Sequence, residues 1–261
     1  MRAFMLAASF STPVSRRRPR LRKSVVVPAL AYHKVAEIPT GAVHRGNYVT
    51  PEQFIAQLRY LRARGFEAIS FGDLLAHRRG EIDLPDRPVL ITFDDGYRSI
   101  LDVALPALRD NGFFATLFVV TELLGATNRW DADEIQEPLL SVDEVRRVRE
   151  DGHDVQSHTR THPDLNALSA REALLELRAS RLDLERILGA PVRIVAYPWG
   201  NPAPRVCDLA KQAGYDAGVI LRRRVNFDST PAFELRRIGI NSQTSIARFA
   251  WDLARLRWRG E

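Results

Sequence analysis

Two short segments hold most of the side chains able to do chemistry in this 261-residue chain. In VLITFDDGY, residues 89–97, an apolar run delivers Asp94 and Asp95 and then breaks at Gly96. Carboxylates at the end of a buried element are costly unless a cation or hydrogen bonds compensate. Adjacent residues on an extended chain point apart, so the two can take different tasks. The plainer alternative is an Asp-Asp-Gly turn that caps the next helix. In SHTRTHPDL, residues 157–165, His158 and His162 are four apart, which on a helical turn puts both imidazoles on one side. With an aspartate as third ligand, such a His/His/carboxylate set leaves coordination positions open for water and substrate. Thr159 stands where a zinc protease would carry its glutamate, so the HExxH arrangement is excluded.

These segments need a scaffold that brings them together. Apolar, β-rich runs recur as VVVPALAY, FEAIS, PVLITF, FATLFVV, HDVQS, RIVAY and DAGVIL. Helical patterns separate them, and three open on a hydroxyl with Glu or Gln three residues later: Thr50/Gln53, Ser141/Glu144 and Ser169/Glu172. Further helical stretches run over 71–80, 98–112, 204–214 and 244–258. Continuous apolar strands alternating with helices predict an α/β fold with a buried parallel sheet, and seven or eight units predict a (β/α) barrel. No glycine-rich phosphate loop follows a strand, which disfavours a dinucleotide-binding sheet. His33, Asp94, Asp95, His158 and Tyr197 all fall where strands end, and in a parallel barrel those ends share one face. The segment 128–138, NRWDADEIQEP, reads as a long loop near that face.

Composition is that of a globular protein, 45% hydrophobic and 27% charged. The net charge of +6 is a property of one end: residues 1–23 carry seven basic side chains and no acid, leaving about −1 for the rest. We therefore expect a basic, disordered leader over 1–24, able to contact anionic surfaces, and one domain over 25–261. No specific nucleic-acid partner is expected. A single cysteine, Cys207, excludes an internal disulfide and a cysteine-based metal cluster. No apolar run reaches transmembrane length and the start lacks a clear signal peptide, so a cytoplasmic or peripheral location is the default expectation.

TFDDGY at 92–97, SHTRTHPDL at 157–165 and AYPWG at 196–200, in that order, resemble the motifs of the polysaccharide deacetylases, the NodB-homology domain of carbohydrate esterase family four. The resemblance spans roughly residues 25–240 and implies a distorted barrel of seven to eight parallel strands. It implies Asp94 as general base, and Asp95, His158 and His162 as ligands to Zn²⁺ or another divalent transition metal. It also implies an oxyanion donor in the backbone N–H of Tyr197, and deacetylation of N-acetylated sugars in a poly- or oligosaccharide. Two features depart from the pattern. The arginine that orients the base in many members is absent from AYPWG, and no histidine follows His162 to serve as general acid. LAYHKV resembles the start of the branch that deacetylates exported poly-N-acetylglucosamine, which offers His33 as the acid, because a closed barrel makes first and last strands neighbours. Trp199 and Tyr97 are the expected sugar-stacking residues. A non-sugar amide hydrolase and a non-catalytic carbohydrate-binding relative are the alternatives.

Overall fold

The computed structural model describes residues 25–258, with side chains through residue 255. The expected leader, 1–24, lies outside the described residues. Seven parallel strands form the scaffold: β1 (Ala29–Tyr32), β2 (Pro88–Phe93), β3 (Thr116–Val119), β4 (Asp154–Ser157), β5 (Ile194–Ala196), β6 (Ala217–Leu221) and β7 (Leu235–Gly239). Strands β2 to β7 follow one another around the sheet, and β1 closes it by pairing with both β7 and β2. Register at the closure sets Ala29 to Tyr32 beside Leu90 to Phe93. Seven helices, α1 (Pro51–Ala63), α2 (Phe71–Arg79), α3 (Ala104–Asp110), α4 (Val142–Glu150), α5 (Ala170–Leu188), α6 (Pro204–Gln212) and α7 (Ile246–Trp258), complete the fold. Among the described residues no helix is long and apolar enough to cross a membrane.

The strand count agrees with the expectation, but one member differs. FEAIS contributes only a two-residue strand, Glu67–Ala68, that lies against the start of β2. The seventh barrel strand is instead β7, in ELRRIGI, whose two arginines disguise it. All three expected capping boxes are formed, and a fourth, Ser70 with Asp73, starts α2. Each satisfies orphan N–H groups at a helix start and so fixes where a connection ends.

Alternation along the strands sorts the side chains into two cores. Leu30, Ile91, Phe93, Leu117, Val119, Val155, Val195 and Ile238 pack outward under the helices. Ala29, Leu90, Phe118, Ile194, Ala196, Ala217, Val219 and Leu235 fill the interior, and Phe71, Leu74 and Leu75 of α2 pack with them as a plug at the strand N-termini. By the same parity Asp94 follows Leu90 and Thr92 on the inward side, and Arg237 follows Leu235. The interior thus ends in polar groups at the strand C-termini.

A hollow of about 420 Å³ lies at the opposite end, where α2 meets the starts of the strands. Its carboxylates are already engaged: Asp73 by Ser70, Asp154 by Gln156 and Thr116. His153 there accepts the N–H of Ala115 at 3.2 Å through Nδ1, which requires a neutral ring, and burial pushes its pKa below the ordinary value. The unfolded chain therefore takes up this proton first, near the unperturbed value of about 6.5. This contribution is present above that pH and is lost as the pH falls below it. Between about pH 7.5 and 5.5 the Tm of the parent chain should fall more steeply than that of His153→Gln, and parallel curves would dismiss the linkage.

Candidate active site

At the strand C-termini a cavity of about 230 Å³ is lined by His33, Asp94, Asp95, His158, His162 and Trp199, among others. It is small beside the ~300–1,000 Å³ of typical small-molecule sites, so it admits part of a larger ligand. Four non-glycine residues among those described have positive φ, and all four are here: Asp95 (71°), Thr159 (66°), His162 (65°) and Trp199 (64°). Such conformations cost of order 1–3 kcal/mol each and cluster where surrounding structure enforces them for function. Asp95 is followed by Gly96 at φ 75°, where an added Cβ would press to 3.1 Å from Val119. This double left-handed turn reverses the chain as it leaves β2, so that Asp94 and Asp95 both reach the cavity.

Asp95 Oδ1 lies 3.2 Å from His158 Nε2 and 3.3 Å from His162 Nε2. All three residues are buried, and their ligand atoms lie within 4.8 Å of one another. Asp95 Oδ1 nevertheless has no hydrogen-bond partner of acceptable geometry. Since the Ala196 carbonyl can only accept, the 2.8 Å contact from His158 Nδ1 places a proton on Nδ1, so Nε2 is the nitrogen a neutral ring would offer a cation. Burial lowers the His158 pKa, but Asp95 and Asp94 outweigh it and raise it. An orphaned buried carboxylate oxygen beside outward-facing imidazole nitrogens fits a divalent cation. Burial raises the Asp95 pKa, but the two histidines outweigh it and hold the carboxyl well below the carboxylate range. Burial lowers His162.

The histidines converge by a different route from the expected helical turn. Residues 158–162 form an irregular loop, which bends back through the left-handed Thr159 and His162. Glu176 of α5 secures it, taking the N–H groups of Arg160 and Thr161 at 3.0 and 2.9 Å and the Thr161 hydroxyl at 2.9 Å. Thr159 Oγ1 accepts the N–H of His162 at 3.2 Å.

Asp94 is held apart from the cluster by a residue that sequence reading missed. Arg237 of β7, fully buried, donates to Asp94 Oδ1 at 2.5 Å and Oδ2 at 2.8 Å, and to Thr92 Oγ1 at 3.0 Å. An orienting arginine is therefore present, supplied by the last strand and not by AYPWG. Burial pushes the Asp94 pKa up, while Arg237, His158 and His33 pull it down, and the net effect keeps it ionised. His33, at the end of β1, places Nε2 4.0 Å from Asp94 Oδ2.

Of the two tyrosines expected at the site, one borders the cavity and the other is covered. Tyr197 lines the cavity, while its ring follows the outward parity of Val195 and its hydroxyl donates to the Phe233 carbonyl at 3.3 Å. The ring lies over Gly218, where a Cβ would come within 2.1 Å of the hydroxyl oxygen. Its N–H, the expected oxyanion donor, donates to the Val219 carbonyl at 3.3 Å at the edge of the cavity. Tyr97, 2% exposed, packs below Trp130 and beside the Lys34 ammonium, and offers no sugar-stacking face. Trp199 is 60% exposed at the cavity rim, edge-on to His162, and keeps the open face expected of it. Trp130 stacks on His162 with ring centroids 4.5 Å apart.

A parallel barrel with an Asp/His/His cluster that could hold a metal ion, and a separately held carboxylate, at its C-terminal face is a hydrolase-like arrangement. The family follows from comparison: the polysaccharide deacetylase model matches residues 81–218, more than half of the chain, and the chain belongs to that family. It is 26% identical over 237 residues to a poly-β-1,6-N-acetyl-D-glucosamine N-deacetylase of Staphylococcus epidermidis, covering 82% of this chain and 78% of that one. Its fold matches a Streptococcus pyogenes deacetylase solved with acetate, with a TM-score of 0.77 and 24% identity, covering 88% of this chain and 99% of the other. A Bacillus cereus polysaccharide deacetylase gives a TM-score of 0.75 at 26% identity, covering 88% and 69%.

Proposed function

We propose that this chain removes acetyl groups from N-acetylated sugars of a poly- or oligosaccharide, with Asp95, His158 and His162 holding a divalent ion, zinc in our reading. The observation that carries it is the pairing of that open three-ligand cluster with a second carboxylate, Asp94, clamped in its ionised form by Arg237. A bound divalent ion would polarise the acetamide carbonyl and acidify water. Asp94 accepts the proton of the attacking water. His33, on the same side of the cavity, delivers a proton to the amine as it leaves, without which that amine is a poor leaving group. Trp199 supplies an apolar ledge at the rim for a pyranose face. The complete ligand set speaks against a relative that merely binds carbohydrate.

The test is acetate release from N-acetylglucosamine oligomers by metal-stripped chain, with and without added Zn²⁺. Release restored by the ion is the expected result. One ion bound per chain without acetate would move the substrate to another amide.

A further inference from the structure

The cavity has a second wall that the ligand cluster and the acid-base pair do not use. The 128–138 segment brings Trp130 and Asp131 to it, and the segment after β1 brings His44 and Asn47. Buried acid–donor contacts lock these two segments together. Glu134 accepts the N–H groups of Val43 and His44, the latter at 2.5 Å. Lys34, fully buried, pairs with Glu137 and donates to the Tyr48 hydroxyl at 3.0 Å, its ammonium lying over the rings of Tyr48 and Tyr97. A lysine buried in this way is stable only with a partner for its charge, so the junction resists opening. At the lip of this rigid unit, His44 Nε2 meets Asp131 Oδ1 at 3.2 Å. Only 15% of the Asp131 side chain is exposed, and among the described residues no hydrogen bond reaches its Oδ2. Asp131 directly follows Trp130, whose ring rests on His162, and lines the same cavity as Asp95, His158 and His162.

We propose that Asp131 and His44 form a hydroxyl clamp that sets the acetamido sugar over the cluster. An ionised carboxylate only accepts hydrogen bonds, whereas an imidazole nitrogen gives or takes one, so the pair suits two adjacent ring hydroxyls. The ligand class is thus a pyranose with two free vicinal hydroxyls, one at position 3 beside the acetamido carbon and one at position 4. Asp131 is a specificity residue that binds substrate and transition state alike, which places its effect in KM. This inference rests on the deacetylase reading.

The experiment measures acetate release by the zinc-loaded full chain from synthetic β-1,6-linked N-acetylglucosamine trimers, and from trimers of the same linkage whose central residue lacks the 3- or the 4-hydroxyl. On the parent trimer Asp131→Ala should lower kcat/KM by roughly tenfold to a hundredfold, the range for a lost hydrogen bond to a charged group, chiefly by raising KM. One ion should still bind per chain. Deoxygenation should cost the unaltered chain a similar factor and should cost Asp131→Ala little more, because the partner is already gone. Equal sensitivity of both chains to deoxygenation would overturn the clamp. So would an unaltered chain indifferent to both deoxy trimers, a comparison that needs no variant and survives a folding failure of Asp131→Ala. Failure of the deacetylase reading looks different: the unaltered, zinc-loaded chain would release no acetate from the parent trimer.

Discussion

Asp95→Asn is expected to lose metal and turnover together, with kcat/KM down by about 10³-fold or more, because a Lewis acid contributes several kcal/mol and each 1.36 kcal/mol is a factor of ten. Asparagine is the informative replacement. Asp95 sits at φ 71°, a conformation asparagine tolerates and alanine resists, so Asp95→Ala would mix backbone strain with ligand loss. Metal content by elemental analysis and Tm with and without chelator check the result. An ion that binds only the folded chain raises its Tm, and chelation should therefore lower the Tm of the unaltered chain while leaving Asp95→Asn unmoved. His158→Ala should behave alike, with an added loss of stability because the Ala196 carbonyl loses its buried donor. A variant that keeps one tightly bound ion per chain would remove Asp95 from the ligand set.

The scaffold was legible in the sequence because its signals are local. Capping boxes at Thr50, Ser141 and Ser169 satisfy backbone groups three residues away, and the apolar runs of the strands need no knowledge of their neighbours. What escaped was set by distant partners. Strand β7 was missed because Arg236 and Arg237 interrupt its apolar pattern, and Arg237 is tolerable in the interior only because Asp94, 143 positions away, neutralises it. The available signal was the parity of ELRRIGI, in which Leu235, Arg237 and Gly239 share a face, so that one arginine has to point inward. FEAIS has strand composition, yet β1 occupies most of the β2 edge it would need and leaves it two residues.

The same distinction governs the site. Strand ends predicted where Asp94, Asp95, His33 and His158 would meet, since a parallel barrel delivers them all to one face. How the two histidines meet was not visible, because their four-residue spacing has a simple helical meaning, while the loop with left-handed Thr159 and His162 is held by the distant Glu176. The sugar-stacking assignment of Tyr97 went astray for a related reason. Tyr97 abuts Asp95 and Gly96 in sequence, but its ring is taken up beside a buried lysine.

The sharpest contrast should come from the adjacent carboxylate. Asp94→Asn changes the same atom as Asp95→Asn, one residue earlier, and is expected to keep the ion while turnover falls by roughly 10²–10⁴-fold, the usual contribution of a positioned base. The reason is geometric: both Asp94 oxygens are held by Arg237, and the ligand atoms that converge belong to Asp95, His158 and His162, so the amide removes a proton acceptor and not a ligand. Stability should fall too, since the buried guanidinium loses its counter-charge. Arg237→Met breaks the same pair from the other side and should cost about 3–5 kcal/mol, the usual penalty for leaving a buried charge alone. The double variant Asp94→Asn, Arg237→Met leaves neither charge exposed to that penalty and should be less destabilised than the sum of the two. Denaturant unfolding of the four chains reads this coupling directly. Additive losses would mean that Arg237 serves the fold independently of Asp94, and full activity in Asp94→Asn would transfer the base to another residue.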